Sequence, residues 1–130
     1  MPFTRRMFLS IQIEEAAMTS IAVYFLTFHG LGISFWWWIL LFFSPDISML
    51  GYLVGSKAGG WLYNLFHHRA LALTMAFTGF LTHQEIVMAA GILLFAHSSF
   101  DRMLGFGLKY PDSFNHTNLG WTGKDERATL

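Results

Sequence analysis

Side chains that bind metals or transfer protons stand inside otherwise apolar stretches of this 130-residue chain. The strongest candidates are Asp46, His67, His97 and Asp101. His97 and Asp101 are four residues apart, so within a helix both project from one face. Two imidazoles with two carboxylates suit a divalent metal such as zinc, manganese or iron, and a carboxylate beside a histidine also serves proton transfer. These four residues are therefore predicted to be metal ligands or catalytic groups.

Further polar residues could support such a site. The supporting candidates are Glu14, Glu15, Asn64 and Arg102. Glu14 and Glu15 are adjacent, so they cannot both face the interior of a helical bundle. The same holds for His67 and His68, and the spacing leaves both choices open. The chain has no H-E-x-x-H, G-x-S-x-G or Walker sequence that would identify one reaction.

The composition indicates whether the chain folds in water or in a membrane. It is 54% hydrophobic, 18% aromatic and 12% charged, with a mean hydropathy of +0.44, which is typical of an integral membrane protein. The formal net charge is zero, so no basic surface indicates a nucleic-acid partner. Cysteine is absent, which excludes disulfides and thiolate metal sites.

Four apolar segments predict an all-α bundle of four transmembrane helices in contact with the lipid bilayer. The segments run over residues 8–28, 33–54, 61–81 and 86–104. Each is close to the roughly 20 residues that a helix needs to cross a bilayer. Residues 1–110 are therefore predicted to form the transmembrane domain, and residues 111–130 a polar C-terminal tail lying on the surface or loosely ordered.

The second segment contains a proline and a carboxylate, which a continuous apolar helix would not favour. We predict that this helix is broken at Ser44-Pro45, with Ser44 as the N-cap of a new half-helix and Pro45 in its first position. The positive end of that half-helix would then stabilise Asp46 as an anion.

The basic residues predict the orientation. They are Arg5, Arg6, Lys57, Arg69, Arg102, Lys109, Lys124 and Arg127. With four spans, all of these except Arg69 fall at the termini, in the middle connection or at the end of the last span, so both termini are predicted to be cytoplasmic. At about 1.5 Å per residue, the candidate site residues lie roughly 5–13 Å deep in the cytoplasmic half of the bilayer. All four helices are predicted to contribute polar groups to this layer.

Three stretches carry a resemblance to a known family. They are PDISMLGY at 45–52, YNLFH at 63–67 and AHSSFDRMLGFGLKY at 96–110. Between about Ile11 and Tyr110 the chain resembles the small bacterial integral-membrane family catalogued as domain of unknown function 4260. The resemblance implies a multi-pass protein of the bacterial inner membrane. It also implies that Asn64 and the four candidate ligands are motif positions, which favours His67 over His68.

A second, shorter stretch is similar to membrane-bound metal-dependent hydrolases. In that family a Pro-Asp pair precedes an H-R-G-x-T-H stretch, and here Pro45-Asp46 precedes His68-Arg69. The chain departs from the pattern because Ala70 replaces the glycine, while Ala72 and Leu73 stand where the threonine and the second histidine would be.

Three functions remain open at this point. The first is a membrane-embedded enzyme, a metal-dependent hydrolase or an acid-base catalyst, acting on an apolar or lipid-like substrate from the cytoplasmic leaflet. The second is an accessory or structural subunit that binds another membrane protein or a second copy of itself, with the polar cluster only locking the bundle. The third is a transporter or ligand binder using the broken second helix, although four spans enclose little pathway.

Overall fold

The computed structural model describes residues 5–122, and these form an all-α fold. The α-helices are α1 (Arg5–Leu26), α2 (Phe35–Phe43), α3 (Ser56–Phe66), α4 (Arg69–Leu81) and α5 (Glu85–Met103). A short 3-10 helix, Thr27–His29, follows α1, and a longer 3-10 segment, Ser44–Leu53, follows α2. Lys124, Arg127 and the end of the predicted tail lie outside the described residues.

Helix α5 is the centre of the fold, and it packs against both α1 and α4. The contact with α4 depends on small residues, because a Cβ on Gly91 would overlap the backbone of Ala76 and lie 2.7 Å from the Ala72 carbonyl oxygen. Gly79 is similarly close to the backbone of Met88. Small residues commonly allow the backbones of two helices to approach this closely.

The second predicted segment changes its helical form at the expected place. Helix α2 ends at Phe43, and the 3-10 segment begins at Ser44 with Pro45 in its first turn. The predicted N-cap role of Ser44 is wrong, because its hydroxyl donates backwards to the Leu41 carbonyl and its own backbone is helical. An N-cap residue needs an extended backbone. The chain therefore tightens into a 3-10 helix here and does not begin a new half-helix.

The third predicted segment, residues 61–81, is divided between two helices. Helix α3 ends at Phe66 and α4 begins at Arg69, with His68 in an extended conformation (φ −84°, ψ 112°). Helix α3 packs against the 3-10 segment, where the Tyr52 ring lies directly against Gly59. The break places His67 at the end of a helix, beside the 3-10 segment.

The chain after α5 folds back onto α3. Asn64 donates to the Lys109 carbonyl oxygen (2.7 Å) and accepts from the Lys109 amide (2.6 Å). Two antiparallel strands follow, β1 (His116–Thr117) and β2 (Gly120–Trp121). The His116 ring stacks between those of Tyr110 and Trp121, with centroid separations of 4.1 and 4.3 Å. Part of the predicted tail is therefore an ordered hairpin.

One helix within residues 5–122, α5, is both long and apolar enough to cross a membrane. Helix α1 is long enough, but Glu14 and Glu15 lower its hydropathy. The second and third predicted segments are each interrupted, so their individual helices are short. Large apolar side chains nevertheless face outward in several elements, including Trp36 (74% exposed) and Leu53 (85% exposed).

Candidate metal centre

Three separate parts of the chain bring the four predicted ligands together. The 3-10 segment supplies Asp46, the end of α3 supplies His67, and one face of α5 supplies His97 and Asp101. One ligand atom from each residue lies within 4.8 Å of all the others. We call these four residues the Asp/His centre.

The distances within the Asp/His centre are short. His97 Nε2 lies 3.0 Å from His67 Nε2 and 3.1 Å from Asp46 Oδ1. His67 Nε2 lies 3.1 Å from Asp101 Oδ2 and 3.4 Å from Asp46 Oδ1, and His97 Nε2 lies 3.5 Å from Asp101 Oδ2. Both imidazole Nε2 atoms therefore face the same small space as the two carboxylates.

The other nitrogen of each imidazole contacts a main-chain carbonyl oxygen. His97 Nδ1 lies 2.7 Å from the Phe42 oxygen, and His67 Nδ1 lies 2.8 Å from the Tyr63 oxygen. A carbonyl oxygen only accepts hydrogen bonds, so both Nδ1 atoms must carry the proton and donate it. Neutral imidazoles in this tautomer direct bare Nε2 lone pairs at each other and at the carboxylates. Four acceptor atoms, none of which carries a proton, then face one another. This arrangement needs a cation or a shared proton.

Pro45 explains why the Phe42 carbonyl is free to accept from His97. In a 3-10 helix, a carbonyl accepts from the amide three residues ahead, which for Phe42 is residue 45. Proline has no amide hydrogen, so this backbone bond cannot form. The same residue that tightens the second segment thus leaves an acceptor for the imidazole of α5.

The spacing suits a small divalent metal. Ligands about 2.0–2.1 Å from a tetrahedral zinc lie about 3.3–3.4 Å from each other, and the distances of 3.0–3.5 Å between ligand atoms given above span this value. The mixed nitrogen and oxygen donors also suit manganese or iron, whereas calcium prefers oxygen ligands alone.

Tyr63 supports the centre, although it is not among the site residues predicted from the sequence. Its hydroxyl donates to Asp101 Oδ2 (3.0 Å), and its ring stacks on that of His67 with a centroid separation of 3.8 Å. Its carbonyl oxygen also accepts a hydrogen bond from His67 Nδ1. One residue therefore orients two of the four residues of the centre, as hydrogen-bonding partners commonly do around metal sites.

The centre is closed on one side and open on the other. His97 is fully buried and His67 is 3% exposed, whereas the Asp46 side chain is 33% exposed. Asp46 also lines an open groove of about 520 Å³. Apart from Asp46 and Tyr52, the groove is lined by the apolar side chains of Phe43, Ile47, Met49, Leu50 and Leu53. An apolar molecule in this groove would therefore have access to the Asp46 side of the centre.

Comparison with known proteins identifies a family over most of the chain. The model of the family described as Domain of unknown function (DUF4260) matches residues 9–122. The chain belongs to the DUF4260 family. No curated protein and no solved structure matches the chain. The matched DUF4260 region contains the whole Asp/His centre, the groove and the hairpin.

The predicted layer of polar groups does not include α1 of this DUF4260 chain. Glu15 is buried, but its carboxylate pairs with Arg69 (2.7 Å) and is not part of the four-residue group. Glu14 is exposed. Glu15 is thus the inward-facing residue of the pair, and the first helix contributes a separate ion pair.

The remaining supporting candidates lie around the centre. Asn64 holds the chain after α5 through Lys109, and Arg102 is half-buried near Arg69 and Glu15. His68 is exposed and lies outside the centre. It is the histidine that matches the first position of the H-R-G-x-T-H stretch, so that likeness does not point to the residues of the centre. The family motif, which favours His67, agrees with the geometry.

Proposed function

We propose that this protein is a membrane-embedded enzyme that binds one divalent metal in the Asp/His centre and hydrolyses an apolar or lipid-like substrate. The observation that carries the proposal is the convergence of four acceptor atoms, with both imidazole tautomers set by main-chain carbonyls. A divalent cation converts this mutual repulsion into attraction. Buried charges are retained when they are paired or coordinate a metal.

Hydrolysis is the chemistry that such a centre supplies most readily. A bound zinc, manganese or iron ion lowers the pKa of water and polarises a carbonyl or phosphoryl oxygen. Four protein ligands leave two positions free on a six-coordinate metal. On a four-coordinate zinc, a water would have to displace one ligand, and partly exposed Asp46 is the suited one. The apolar groove at Asp46 favours a lipid-like substrate.

The placement in a membrane rests on several observations together. Helix α5 has the length and apolar composition of a span, and the nine residues of α2 with the ten of the 3-10 segment, placed end to end, would rise about 33 Å, close to the thickness of bilayer hydrocarbon. Outward-facing Trp36 and Leu53 would contact lipid. We propose four crossings, with both termini and the Asp/His centre on the cytoplasmic side of the inner membrane.

A second candidate function follows from one distance. The 3.0 Å between the two imidazole Nε2 atoms is also the length of an N–H···N hydrogen bond. A proton shared between His67 and His97 would make the cluster a polar lock that holds three parts of the chain together. The protein would then be a structural or accessory subunit, bound to another membrane protein or to a second copy.

The metal content of the purified protein separates these two functions. We expect about one zinc, manganese or iron ion per chain in detergent-purified wild type, and less than about a tenth of that in His97→Ala, because loss of one of four protein ligands greatly weakens metal binding. His68→Ala is the matched control, since it removes an exposed neighbouring histidine. It should retain the wild-type metal content.

Metal at trace levels in every preparation, including protein reloaded with each of the three ions, would contradict the enzyme proposal. The polar lock would be supported if His97→Ala then lowered the thermal stability while His68→Ala did not. Native electrophoresis in mild detergent would show whether a partner or a second copy accompanies the chain.

A further inference from the structure

Lys109 is a buried cation near the Asp/His centre. The residue is 5% exposed, and its ammonium lies near three aromatic rings, at 4.0 Å from the Phe114 centroid, 5.0 Å from Tyr63 and 5.7 Å from Phe106. Within residues 5–122, no carboxylate lies within ion-pair distance of it. Aromatic faces stabilise an ammonium but accept none of its three N–H groups in the way that an oxygen would. Lysine is rarely buried unless it is paired.

The position of Lys109 is fixed and close to the metal centre. Asn64 holds its backbone through two hydrogen bonds. The Tyr63 ring, over which the ammonium lies, stacks on His67 and donates its hydroxyl to Asp101. Burial lowers the pKa of Lys109, and the charge of Asp101 opposes that shift. One side chain thus separates this cation from two of the metal ligands.

Tyr52 provides a second polar group near Lys109. Its hydroxyl is buried and has no hydrogen-bond partner in the part of the chain that the structure describes, which is unusual for a tyrosine. A Cβ on Gly60 would lie 3.7 Å from this hydroxyl and 3.8 Å from the Lys109 Cβ, so both groups lie beside Gly60. The Tyr52 ring lines the groove beside Asp46 and contacts Phe114.

The charge balance favours an anionic ligand once a metal is bound. The two carboxylates of the Asp/His centre neutralise a divalent ion, so they no longer compensate Lys109. One positive charge then remains over the Phe114 ring, which contacts Tyr52, a residue of the apolar groove. A ligand that brings one negative charge would neutralise it, and its oxygen atoms would accept from both Lys109 and Tyr52.

We propose that Lys109 and Tyr52 bind the anionic headgroup of the substrate, which is therefore an amphiphile with an apolar chain and a phosphate or carboxylate headgroup. This inference rests on the proposed function of the Asp/His centre. The apolar chain lies in the groove between Phe43 and Leu53, and the headgroup lies between Asp46 and the hairpin side of α3.

Equilibrium binding to metal-loaded protein in a neutral detergent tests this proposal. Dodecyl phosphate and dodecanoate are the two anionic probes, dodecyltrimethylammonium is the cationic one, and inorganic phosphate lacks the chain. We expect wild type to bind at least one anionic probe about tenfold or more tightly than the cationic probe and inorganic phosphate. The preferred anionic probe identifies the headgroup as a phosphate or a carboxylate.

Variants assign the effect to the two residues. Lys109→Met should weaken binding of the preferred anionic probe by about tenfold or more, because it removes the charge but keeps an apolar side chain against the rings. Lys109→Arg should retain most of the affinity, and Tyr52→Phe should weaken it by about threefold to tenfold. Lys57→Met, at the start of α3, is the matched control and should bind as wild type.

The outcomes distinguish this inference from the metal proposal. Wild-type binding without preference for anionic probes, or unchanged affinity in Lys109→Met, would overturn the headgroup assignment even if the metal is present. Equal affinity for inorganic phosphate and dodecyl phosphate would show that the apolar chain contributes nothing to binding, and would contradict an amphiphilic substrate. If the protein takes up no metal but still binds an anionic probe through Lys109, the headgroup assignment is supported and the metal centre is contradicted.

Discussion

Hydrogen bonds from neighbouring groups orient the four residues of the Asp/His centre. Tyr63 contacts Asp101 through its hydroxyl, His67 through its ring and the His67 Nδ1 through its carbonyl oxygen. Of these three contacts, replacement by phenylalanine removes only the first. The other two depend on the ring and the main chain, so they should remain.

We expect Tyr63→Phe to weaken metal binding by about tenfold to a hundredfold, since partners of metal ligands contribute on this scale. Competition with a coloured chelator measures the affinity. Tyr24→Phe is the control, because Tyr24 is 62% exposed on α1 and lies outside the centre. Equal affinities for wild type and Tyr63→Phe would show that the hydroxyl does not orient Asp101.

Most residues of the centre could be predicted from the sequence, because burying a charged or polar side chain in an apolar segment is unfavourable unless it has a partner. Asp46, His97 and Asp101 stand out for this reason, and the family motif decided for His67. Tyr63 and Lys109 were not identified as site residues. A tyrosine in an apolar helix and a lysine after one are ordinary, and only the fold-back of the chain onto Asn64 brings the lysine to the centre.

At the level of the elements, the helix lengths were predicted less well than their positions. The change of form at Ser44-Pro45 has a clear signal, whereas the break between α3 and α4 contains neither glycine nor proline. At that break, His67 makes tertiary contacts with Asp101 and His97, which the local sequence does not reveal. The hairpin could have been anticipated from Asn118 and Gly120, which are typical turn residues.

The contact between α4 and α5 should be sensitive to volume at Gly91. We expect Gly91→Val to lower the stability by about 1–3 kcal/mol or more, because the side chain would overlap the backbone of Ala76. Thermal unfolding in detergent measures the change. Gly30→Ala is the control, since a Cβ there has no neighbour within 4 Å, and a similar loss in both variants would contradict this reading.

Pro45 should influence metal binding through the backbone. In Pro45→Ala, residue 45 regains an amide that competes with His97 for the Phe42 carbonyl, so we expect metal affinity to fall severalfold while the helices remain. Chelator competition and circular dichroism report these two properties. Pro111→Ala is the control in an exposed turn, and unchanged affinity in Pro45→Ala would contradict the proposed role.

At the scale of the whole molecule, the proposed topology predicts where reporters will be active. A fluorescent protein fused to either terminus should fold in the cytoplasm, and a periplasmic phosphatase inserted after Gly30 or His83 should be active, because both lie in connections without lysine or arginine. Resistance of the protein to extraction by alkaline carbonate would accompany this pattern. An active phosphatase at the C-terminus would instead indicate an odd number of crossings.

The acceptors for both imidazole Nδ1 protons are atoms of the peptide backbone, and this limits what mutagenesis can detect. Systematic replacement of side chains by alanine would leave the oxygens of Phe42 and Tyr63 in place. A scan would therefore find the four residues of the centre, and Tyr63 through its hydroxyl and ring, but it would not detect the two carbonyl oxygens. Replacing individual peptide bonds by esters, which weakens a carbonyl as an acceptor, would reveal this hidden half of the site.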